Sequence, residues 1–237
     1  MKNNAKIFLQ DLGLMDYQKA WAHQTKLHKQ LVNNKLESKP NPEQYFILCE
    51  HPVVYTLGKS GSLDHLLLSQ KELAQKGYAY YKINRGGDIT HHGPGQIVGY
   101  PILDLSYFKE DVGWYVRSIE EVIIRTLVDF GVEAIRIEKY TGVWIEGRPM
   151  RKIAAIGVHM SRWITLHGFA LNVNNDIGLF DHIIPCGIQD PDKTVTSLAA
   201  EIGKEIALND VKKRLIRHFE AVFGASITLP EKIEHHD

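Results

Sequence analysis

Residues 85–96, RGGDITHHGPGQ, bring four glycines, an arginine, an aspartate and two adjacent histidines together in twelve positions. Glycine adopts positive φ and lets a ligand approach the backbone closely, so the segment predicts either a structural turn between two strands or one wall of a pocket. Its spacing matches neither G-x-G-x-x-G nor G-x-x-x-x-G-K-[ST], and the apolar run after it predicts a strand instead of a helix. A phosphate-binding loop is therefore not favoured.

The adjacent His91 and His92 raise the question of a metal site, because imidazole is the commonest metal ligand in proteins. Neighbouring residues of an extended backbone point in opposite directions, so at most one of the two faces a given site. The sequence has no H-E-x-x-H or C-x-x-C spacing, and its other histidines are scattered. We therefore expect no metal ion here.

The two cysteines have different settings. Cys186 lies between Pro185 and Gly187, which fix the backbone before it and leave room after it. It is either a nucleophile presented to a pocket or a free structural cysteine. As a nucleophile it needs an activator, because only the thiolate attacks well. Cys49, in the apolar run QYFILCE, is expected to be a small buried hydrophobic residue.

Lys152 begins an otherwise apolar run in GRPMRKIAAIG. One reading is an exposed lysine at a strand end, beside Arg148 and Arg151. The other is a lysine partly buried next to a cysteine. There it would stabilise the thiolate as an ammonium or accept its proton as an amine, because desolvation lowers the pKa of a lysine.

Hydrophobic periodicity supplies the elements that would position these residues. Apolar spacings of three and four predict helices over residues 15–36 and 111–130, the second ended by Gly131. A short helix is predicted within SQKELAQKG, ended by Gly77. Strands are predicted at YFIL, VVYTL, YAYYKI, QIVGYPILDL and VEAIRIE. Pro52 marks a bend or an edge between the first two of these strands.

The second half of the chain alternates over residues 142–173, with turn signals at Glu146-Gly147 and near Ser161, which predicts an antiparallel meander. Two helices are expected after it, over residues 195–201 and 209–223. The second would have Asn209 or Asp210 as its cap and a glycine, residue 224, as its stop. With no repeat or linker, we expect one α+β domain over residues 1–237, a mixed, mostly antiparallel sheet flanked by helices, frayed from about residue 231.

Composition narrows the classes of function. The chain carries 28 Lys+Arg against 28 Asp+Glu, a balance that favours neither nucleic acid nor an anionic membrane as a partner. No apolar run reaches the roughly 20 residues needed to span a bilayer, and the start lacks the apolar core of a signal peptide. Two cysteines are too few for a disulfide framework. These features predict a cytoplasmic protein.

Three motifs together resemble the octanoyltransferases of lipoate biosynthesis: RGGDITHHGPGQIVGYPILDL, GVWIEGRPMRKIAAIGVHMSRWITLHGFALNVN and FDHIIPCGI. The resemblance extends from the first helix to the C-terminal helix. It implies the fold of biotin and lipoate protein ligases. It also implies transfer of an octanoyl or lipoyl group from acyl carrier protein to a lysine of a lipoyl domain. The acceptors would be E2 subunits of 2-oxoacid dehydrogenases and the H protein of glycine cleavage. The enzyme would be a monomer, and it would use neither ATP nor another cofactor.

The resemblance also implies roles for residues. Cys186 matches the cysteine that forms a thioester acyl-enzyme, and Lys152 matches the catalytic lysine. The acyl-binding segments match Arg85, Gly86, Gly87, Asp88, Ile89, Thr90, His91, His92, Ala155, Ile156, Gly157, Gly168, Phe169 and Ala170. Where the family usually has an aromatic residue, this chain has His91, and we expect His92 to face the pocket.

Three other functions fit parts of the sequence. An ATP-dependent lipoate or biotin ligase would share the fold and a lysine, but it would need no cysteine nucleophile. A non-catalytic acyl-binding or docking module would need neither Cys186 nor Lys152. A thioester hydrolase would release the acyl group to water when no acceptor domain is present.

Overall fold

The computed structural model describes residues 5–184 and 192–229. Its helices are α1 Tyr17–Leu36, α2 Gln70–Lys76, α3 Val112–Val128, α4 Leu198–Ile202 and α5 Leu208–Phe223. Its strands are β1 Lys6–Leu14, β2 Glu43–Glu50, β3 Val54–Leu57, β4 Ala79–Lys82, β5 Ile89–His92, β6 Gln96–Ile102, β7 Ile135–Ile137, β8 Tyr140–Ile145, β9 Met150–Ser161, β10 Ile164–Asn172, β11 Lys193–Val195 and β12 Ser226–Thr228. Short 3-10 helices cover Leu63–His65, Leu105–Tyr107 and Ile177–His182.

Two sheets organise the chain. The large sheet has the strand order β12-β1-β2-β6-β10-β9-β8-β7, with β11 beside β9, and the small sheet has the order β4-β3-β5. In the large sheet β1 pairs in parallel with β2 and β12, and β11 does so with β9, while the pairings from β2 through β7 are antiparallel. The predicted α+β class, with a mixed and mostly antiparallel sheet, is confirmed.

Helices cover both faces of the large sheet, as expected from their apolar stripes. Helices α3 and α5 bury their apolar residues on one face, in a core that includes Phe46, Ile123 and Phe219. Helix α1 packs on the other face, against β6 and β10, through Leu27 and Leu31. Each large apolar side chain buried in this way contributes on the order of 1.5–3 kcal/mol. No helix among residues 5–184 and 192–229 is long and apolar enough to span a bilayer.

Local signals account for several element ends. Asp111 caps α3 by accepting from the Trp114 amide at 2.9 Å, and Gly131 after that helix has a φ of 76°. Gly77 ends α2 in the left-handed conformation. The chain leaves the large sheet at the end of β2 and enters the small sheet at β3, so Pro52 marks a bend between sheets and not an edge strand.

Two sequence-based expectations need correction, and strand β1 had no expectation at all. Strand β1 was not predicted, because KIFLQDLGL lacks clean alternation and its register shifts between Asp11 and Leu14. The helix expected over residues 195–201 is strand β11 followed by α4, which Ser197 caps at the Ala200 amide. Helix α5 begins after Ala207 without a side-chain cap, so neither candidate cap residue at 209 or 210 has that role.

Strands β6 and β10 approach each other so closely that two of their positions require glycine. A Cβ on Gly168 would lie 2.1 Å from the carbonyl oxygen of Gly99, and a Cβ on Gly99 would lie 2.3 Å from the ring of Phe169. Real Cβ atoms do not approach backbone oxygen so closely, so the pair sets the separation of the central strands. This part of β10 also forms one wall of the cavity described below.

We expect Gly168→Ala to lower the free energy of unfolding by about 3 kcal/mol, because the Gly99 carbonyl is backbone and cannot move away. Chemical denaturation measures this change. Gly113→Ala is the control, because a Cβ there would meet only Asp111 Oδ1, at 3.3 Å, near the exposed start of α3. Equal stability of the two variants would contradict the close packing of β6 and β10.

Candidate functional site

A cavity of about 310 Å³ lies between the glycine-rich segment and strands β9 and β10. Its wall is made by Tyr17, Arg85, Gly87, Asp88, Ile89, Thr90, His92, Val98, Tyr100, Lys139, Tyr140, Thr141, Lys152, Ala155, Ile156, Gly157, His167, Gly168, Phe169 and Ala170. The wall is therefore largely apolar or neutral along the strands, with the amine of Lys152 among its polar groups.

The glycine-rich segment forms one wall because its backbone lies against β9. The Gly86 amide donates to the Val158 carbonyl at 2.9 Å, and a Cβ on Gly157 would lie 2.9 Å from the Gly86 carbonyl oxygen. Arg85 extends into the small sheet, where Nη2 donates to the Thr56 carbonyl at 2.6 Å. The glycines serve close contact between backbones, and the arginine joins the two sheets beside the cavity.

Asp88 connects this wall to a neighbouring segment of the chain. One carboxylate oxygen accepts from the Ile89 amide at 2.7 Å, and the other lies 2.5 Å from His65 Nδ1. The His65 carbonyl in turn accepts from the Ile184 amide at 2.8 Å. The cavity wall and the chain leading up to residue 184 are therefore held through the same histidine.

Lys152 is positioned by strands on both sides of β9. In register it lies opposite Trp144 on β8 and Val195 on β11, and its carbonyl accepts from the Thr196 amide at 2.9 Å. Its Nζ lies 5.0 Å from the centroid of the Trp144 ring, within the range of a cation–π contact. The side chain is half-buried and lines the cavity, so it is not the fully exposed strand-end lysine of the alternative reading.

Room for the Lys152 side chain comes from Gly142 on β8. A Cβ there would lie 2.8 Å from Lys152 Cε and 2.6 Å from the Ala154 carbonyl oxygen, and Gly142 has a φ of 129°. The Gly142 amide donates to Glu120 Oε1 at 3.0 Å. Glu120 is fully buried and also accepts from Arg117 at 2.6 Å. A buried, paired carboxylate on α3 thus fixes the backbone that faces the lysine.

The two adjacent histidines point to opposite sides of β5, as expected. His92 lines the cavity and stacks on Tyr17 with ring centroids 5.9 Å apart, and burial lowers its pKa well below the usual value. His91 packs instead against Tyr55 and Phe180, at centroid distances of 5.4 and 5.2 Å. It is fully buried, and neither ring nitrogen has a hydrogen-bond partner among the described residues. Burial lowers its pKa to about 4.

The structure brings most of the expected site residues into one wall: Arg85, Gly87, Asp88, Ile89, Thr90, His92, Lys152, Ala155, Ile156, Gly157, Gly168, Phe169 and Ala170. Gly86 and His91 lie in the same segment but outside the cavity wall. Gly86 contacts β9 through its backbone, and the His91 side chain faces the opposite side of its strand. Cys186, with its neighbours Pro185 and Gly187, lies outside the described residues.

Several wall residues were not predicted: Tyr17, Val98, Tyr100, Lys139, Tyr140, Thr141 and His167. Alternation on β6 is a signal for Val98 and Tyr100, since they follow one another at a spacing of two. Tyr17 had no such signal, because the first turn of an amphipathic helix is expected to pack in the core. His167, on β10, has a φ of 62°, and its Nε2 lies 2.7 Å from Asn84 Oδ1.

Polar groups behind the cavity are neutral and hydrogen-bonded to one another. His51 Nδ1 donates to the Met15 carbonyl at 2.6 Å, so its Nε2 accepts from the Tyr100 hydroxyl at 2.8 Å. Burial lowers the pKa of His51 and raises that of Tyr100. Cys49 Sγ lies 3.5 Å from His51 Nε2. Cys49 is fully buried, as expected, and burial raises the pKa of its thiol.

Within the part of the chain that the structure describes, no group of three or more His, Cys, Asp or Glu side chains is arranged to hold a metal ion. The absence of a metal from the reaction stays a prediction, as does the absence of ATP.

The chain is similar in sequence to one protein family and to octanoyltransferases. The lipoyl protein ligase A/B catalytic domain family matches residues 16–220. The chain is 53% identical over 232 residues to the octanoyltransferase of Flavobacterium johnsoniae, covering 94% of this chain and 99% of that protein. It is 50% identical over 232 residues to the octanoyltransferase of Christiangramia forsetii, covering 94% and 98%. The similarity therefore extends over nearly the full length of both relatives.

Comparisons by structure show a shared fold at low sequence identity. Lipoate-protein ligase A bound with ATP aligns with a TM-score of 0.70 at 13% identity, covering 95% of this chain and 88% of that one. A bi-partite lipoate protein ligase from Thermoplasma acidophilum aligns with a TM-score of 0.70 at 13% identity, covering 96% and 86%. The expected likeness to lipoate protein ligase folds is confirmed.

We expect Gly142→Ala to displace the Lys152 side chain from the cavity, because the new methyl group would lie 2.8 Å from Lys152 Cε and 2.6 Å from the Ala154 carbonyl oxygen, which is backbone and cannot move away. The rate at which an amine-reactive ester modifies Lys152, followed by peptide mass spectrometry on the folded protein, should change severalfold. Modification of Lys39, an exposed lysine paired with Glu37, is the internal control. An unchanged rate at Lys152 would refute the role given to Gly142.

We expect His91→Phe to make the protein more stable in mild acid. The unfolded chain binds a proton at this histidine below about pH 6.5, whereas the folded chain binds it only near pH 4. The contribution of the neutral His91 ring to the free energy of unfolding is therefore fully present above pH 6.5. Up to about 3 kcal/mol of it is lost as the pH falls towards 4. Unfolding free energies of both proteins across this range measure the effect. A difference that is the same at about pH 8 and about pH 4.5 would contradict it.

Proposed function

The chain belongs to the lipoyl protein ligase A/B catalytic domain family, among its octanoyltransferases, and from this we propose that it moves an octanoyl group from acyl carrier protein to a lysine of a lipoyl domain. The observation that carries the proposal is the cavity, whose apolar wall leads to the amine of Lys152. Its acceptors would be the lipoyl domains of 2-oxoacid dehydrogenase E2 subunits and the glycine-cleavage H protein.

The cavity wall supports an alkyl chain as the bound group. Ile89, Ala155, Ile156, Phe169 and Ala170 offer apolar surface on two sides. Each methylene buried among them contributes about 0.8 kcal/mol, so a saturated chain of medium length is held without a charged contact. The glycine at position 157 brings the opposite wall close enough to enclose the chain from both sides.

The first half-reaction needs no ATP, because an acyl carrier thioester is already activated. We propose that the Cys186 thiolate attacks the octanoyl carbonyl, the bond to the pantetheine sulfur breaks, and the Lys152 ammonium protonates that sulfur. The product is an octanoyl thioester on Cys186, and Lys152 is left as an amine. Exchange of one thioester for another is roughly isoenergetic, so no nucleotide is needed to drive it.

The second half-reaction returns the enzyme to its starting state. The amine of the lipoyl-domain lysine attacks the thioester carbonyl, and the Cys186 thiolate leaves. The proton released from the attacking amine passes to Lys152, which becomes an ammonium again. The contact of Lys152 with the Trp144 ring supports this cycle, because an aromatic face stabilises the ammonium form.

The test is incubation with octanoyl-acyl carrier protein in the absence of ATP, followed by intact mass measurement. We expect one octanoyl adduct that hydroxylamine removes and that maps to Cys186. On addition of a lipoyl domain the octanoyl group should move to a lysine of that domain. Cys186→Ala should lose the adduct, and Lys152→Ala should lose transfer by orders of magnitude.

The chain offers matched controls for both substitutions. Cys49→Ala removes the other cysteine, which is buried in the core beneath α1, and should retain the adduct. Lys39→Ala removes an exposed lysine paired with Glu37 and should retain transfer. An adduct that requires ATP, or full transfer by Cys186→Ala, would show that the chain works as a ligase or without an acyl-enzyme.

A further inference from the structure

Two buried amide side chains connect His92 to the backbone that carries Lys152. His92 Nδ1 lies 2.8 Å from Gln96 Oε1, and Gln96 Nε2 donates to Asn172 Oδ1 at 2.9 Å. Asn172 Nδ2 donates to the Thr196 carbonyl at 2.9 Å, and the Thr196 amide donates to the Lys152 carbonyl at 2.9 Å. We call Gln96 and Asn172 the amide relay.

The orientation of both amides in the relay is determined by carbonyl groups, which only accept. The Thr196 carbonyl requires the nitrogen of Asn172 to face it, so the Asn172 oxygen faces Gln96. That oxygen also accepts from Asn175 Nδ2 at 3.1 Å. The Gln96 nitrogen must therefore face Asn172, and it also donates to the His91 carbonyl at 3.2 Å. Only the oxygen of Gln96 remains to contact His92.

This orientation fixes the proton on the His92 ring. Because an amide oxygen only accepts, Nδ1 of His92 must carry a proton and donate it. The ring is neutral, since burial first and the neighbouring His51 second lower its pKa. The charge of Arg85 also lowers the pKa of His92, and Tyr17 stacks on the ring without supplying a charge. A neutral ring with a proton on Nδ1 has a lone pair at Nε2.

His92 lines the cavity, and because Nδ1 is bonded to Gln96, the ring nitrogen left for a ligand is Nε2. The amide relay is almost fully buried, with Gln96 1% and Asn172 4% exposed, and all of its oxygens and nitrogens are hydrogen-bonded. Buried polar networks that are fully satisfied are rigid, so the relay holds the ring in one tautomer.

We propose that Gln96 and Asn172 are positioning residues that keep His92 as a neutral imidazole protonated on Nδ1, so that Nε2 accepts a hydrogen bond from the amine of the incoming lysine. The part that concerns the amine depends on the proposed function. A lone pair suits an N–H donor and disfavours the oxyanion of the tetrahedral intermediate, whose hydrogen-bond donors must come from elsewhere. No proton moves through the relay, which acts only by orientation.

The tautomer can be measured without any substrate, from ¹⁵N chemical shifts of the histidine-labelled protein, with His92→Gln used to assign the signals. In the unsubstituted protein we expect a protonated Nδ1 and an unprotonated Nε2 from about pH 6 to about pH 8. Gln96→Leu removes the acceptor and should populate the other tautomer. Asn172→Leu should shift the population in the same direction by less, because the His91 carbonyl still holds Gln96.

Activity gives the second measurement, on single turnovers of the preformed acyl-enzyme. Gln96→Leu should slow transfer to the lipoyl domain about tenfold, the scale on which supporting residues act in other sites, while formation of the acyl-enzyme changes less. Gln96→Glu keeps an acceptor for Nδ1 but places a carboxylate beside the ring, so it should raise the pKa of His92 and favour the imidazolium form, which lacks the lone pair at Nε2. Asn174→Ala is the matched control. Within the part of the chain that the structure describes, its side chain bonds the Ile206 backbone alone, so both readouts should be unchanged.

The outcomes separate this inference from the proposed function. A charged His92 at neutral pH, or a proton on Nε2, would overturn the relay whatever the activity. A Gln96→Leu protein with unchanged tautomer and unchanged second-half rate would do the same. The expected ¹⁵N shifts in a protein that does not transfer octanoyl groups would leave the tautomer assignment standing and refute the function.

Discussion

The cavity exists because one stretch of backbone lies directly on another. Residues 85–88 cross strand β9 at Gly157, where any side chain would collide with the Gly86 carbonyl, and the Gly86 amide bonds the Val158 carbonyl. Arg85 then fastens this crossing to the small sheet at Thr56. Because the crossing is made of main chain, the height of the cavity is set by peptide geometry and is insensitive to side-chain rearrangement.

Charge is distributed unevenly around this enclosure. Burial keeps the inner polar groups, His51, His92 and Tyr100, uncharged, and hydrogen bonds among neighbours satisfy them. The amine of Lys152 lies where the apolar strands reach β8 and β11. The cavity wall also carries Arg85, Asp88 and Lys139, so its charged groups lie beside neutral, buried ones.

Periodicity predicted most of the elements, and the three motifs predicted which of them meet. It did not predict β1, since its partner β2 lies beyond α1 and no hairpin turn connects them. The opposite directions of His91 and His92 followed from strand geometry, but which one faces the cavity depends on how β5 pairs with β3. Tyr17 reaches the wall only because α1 packs across β6 and β10, a tertiary contact that local pattern does not encode.

The burial of Cys49 links the reactivity of its thiol to local opening of the folded state. Its thiol is fully buried beneath α1, and burial raises its pKa, so the reactive thiolate forms only when the residue reaches water. Alkylation of Cys49 therefore requires a local opening that exposes it, such as separation of α1 from the sheet. The Cys49 thiol is therefore a built-in probe of local unfolding on the face of the sheet opposite α3 and α5.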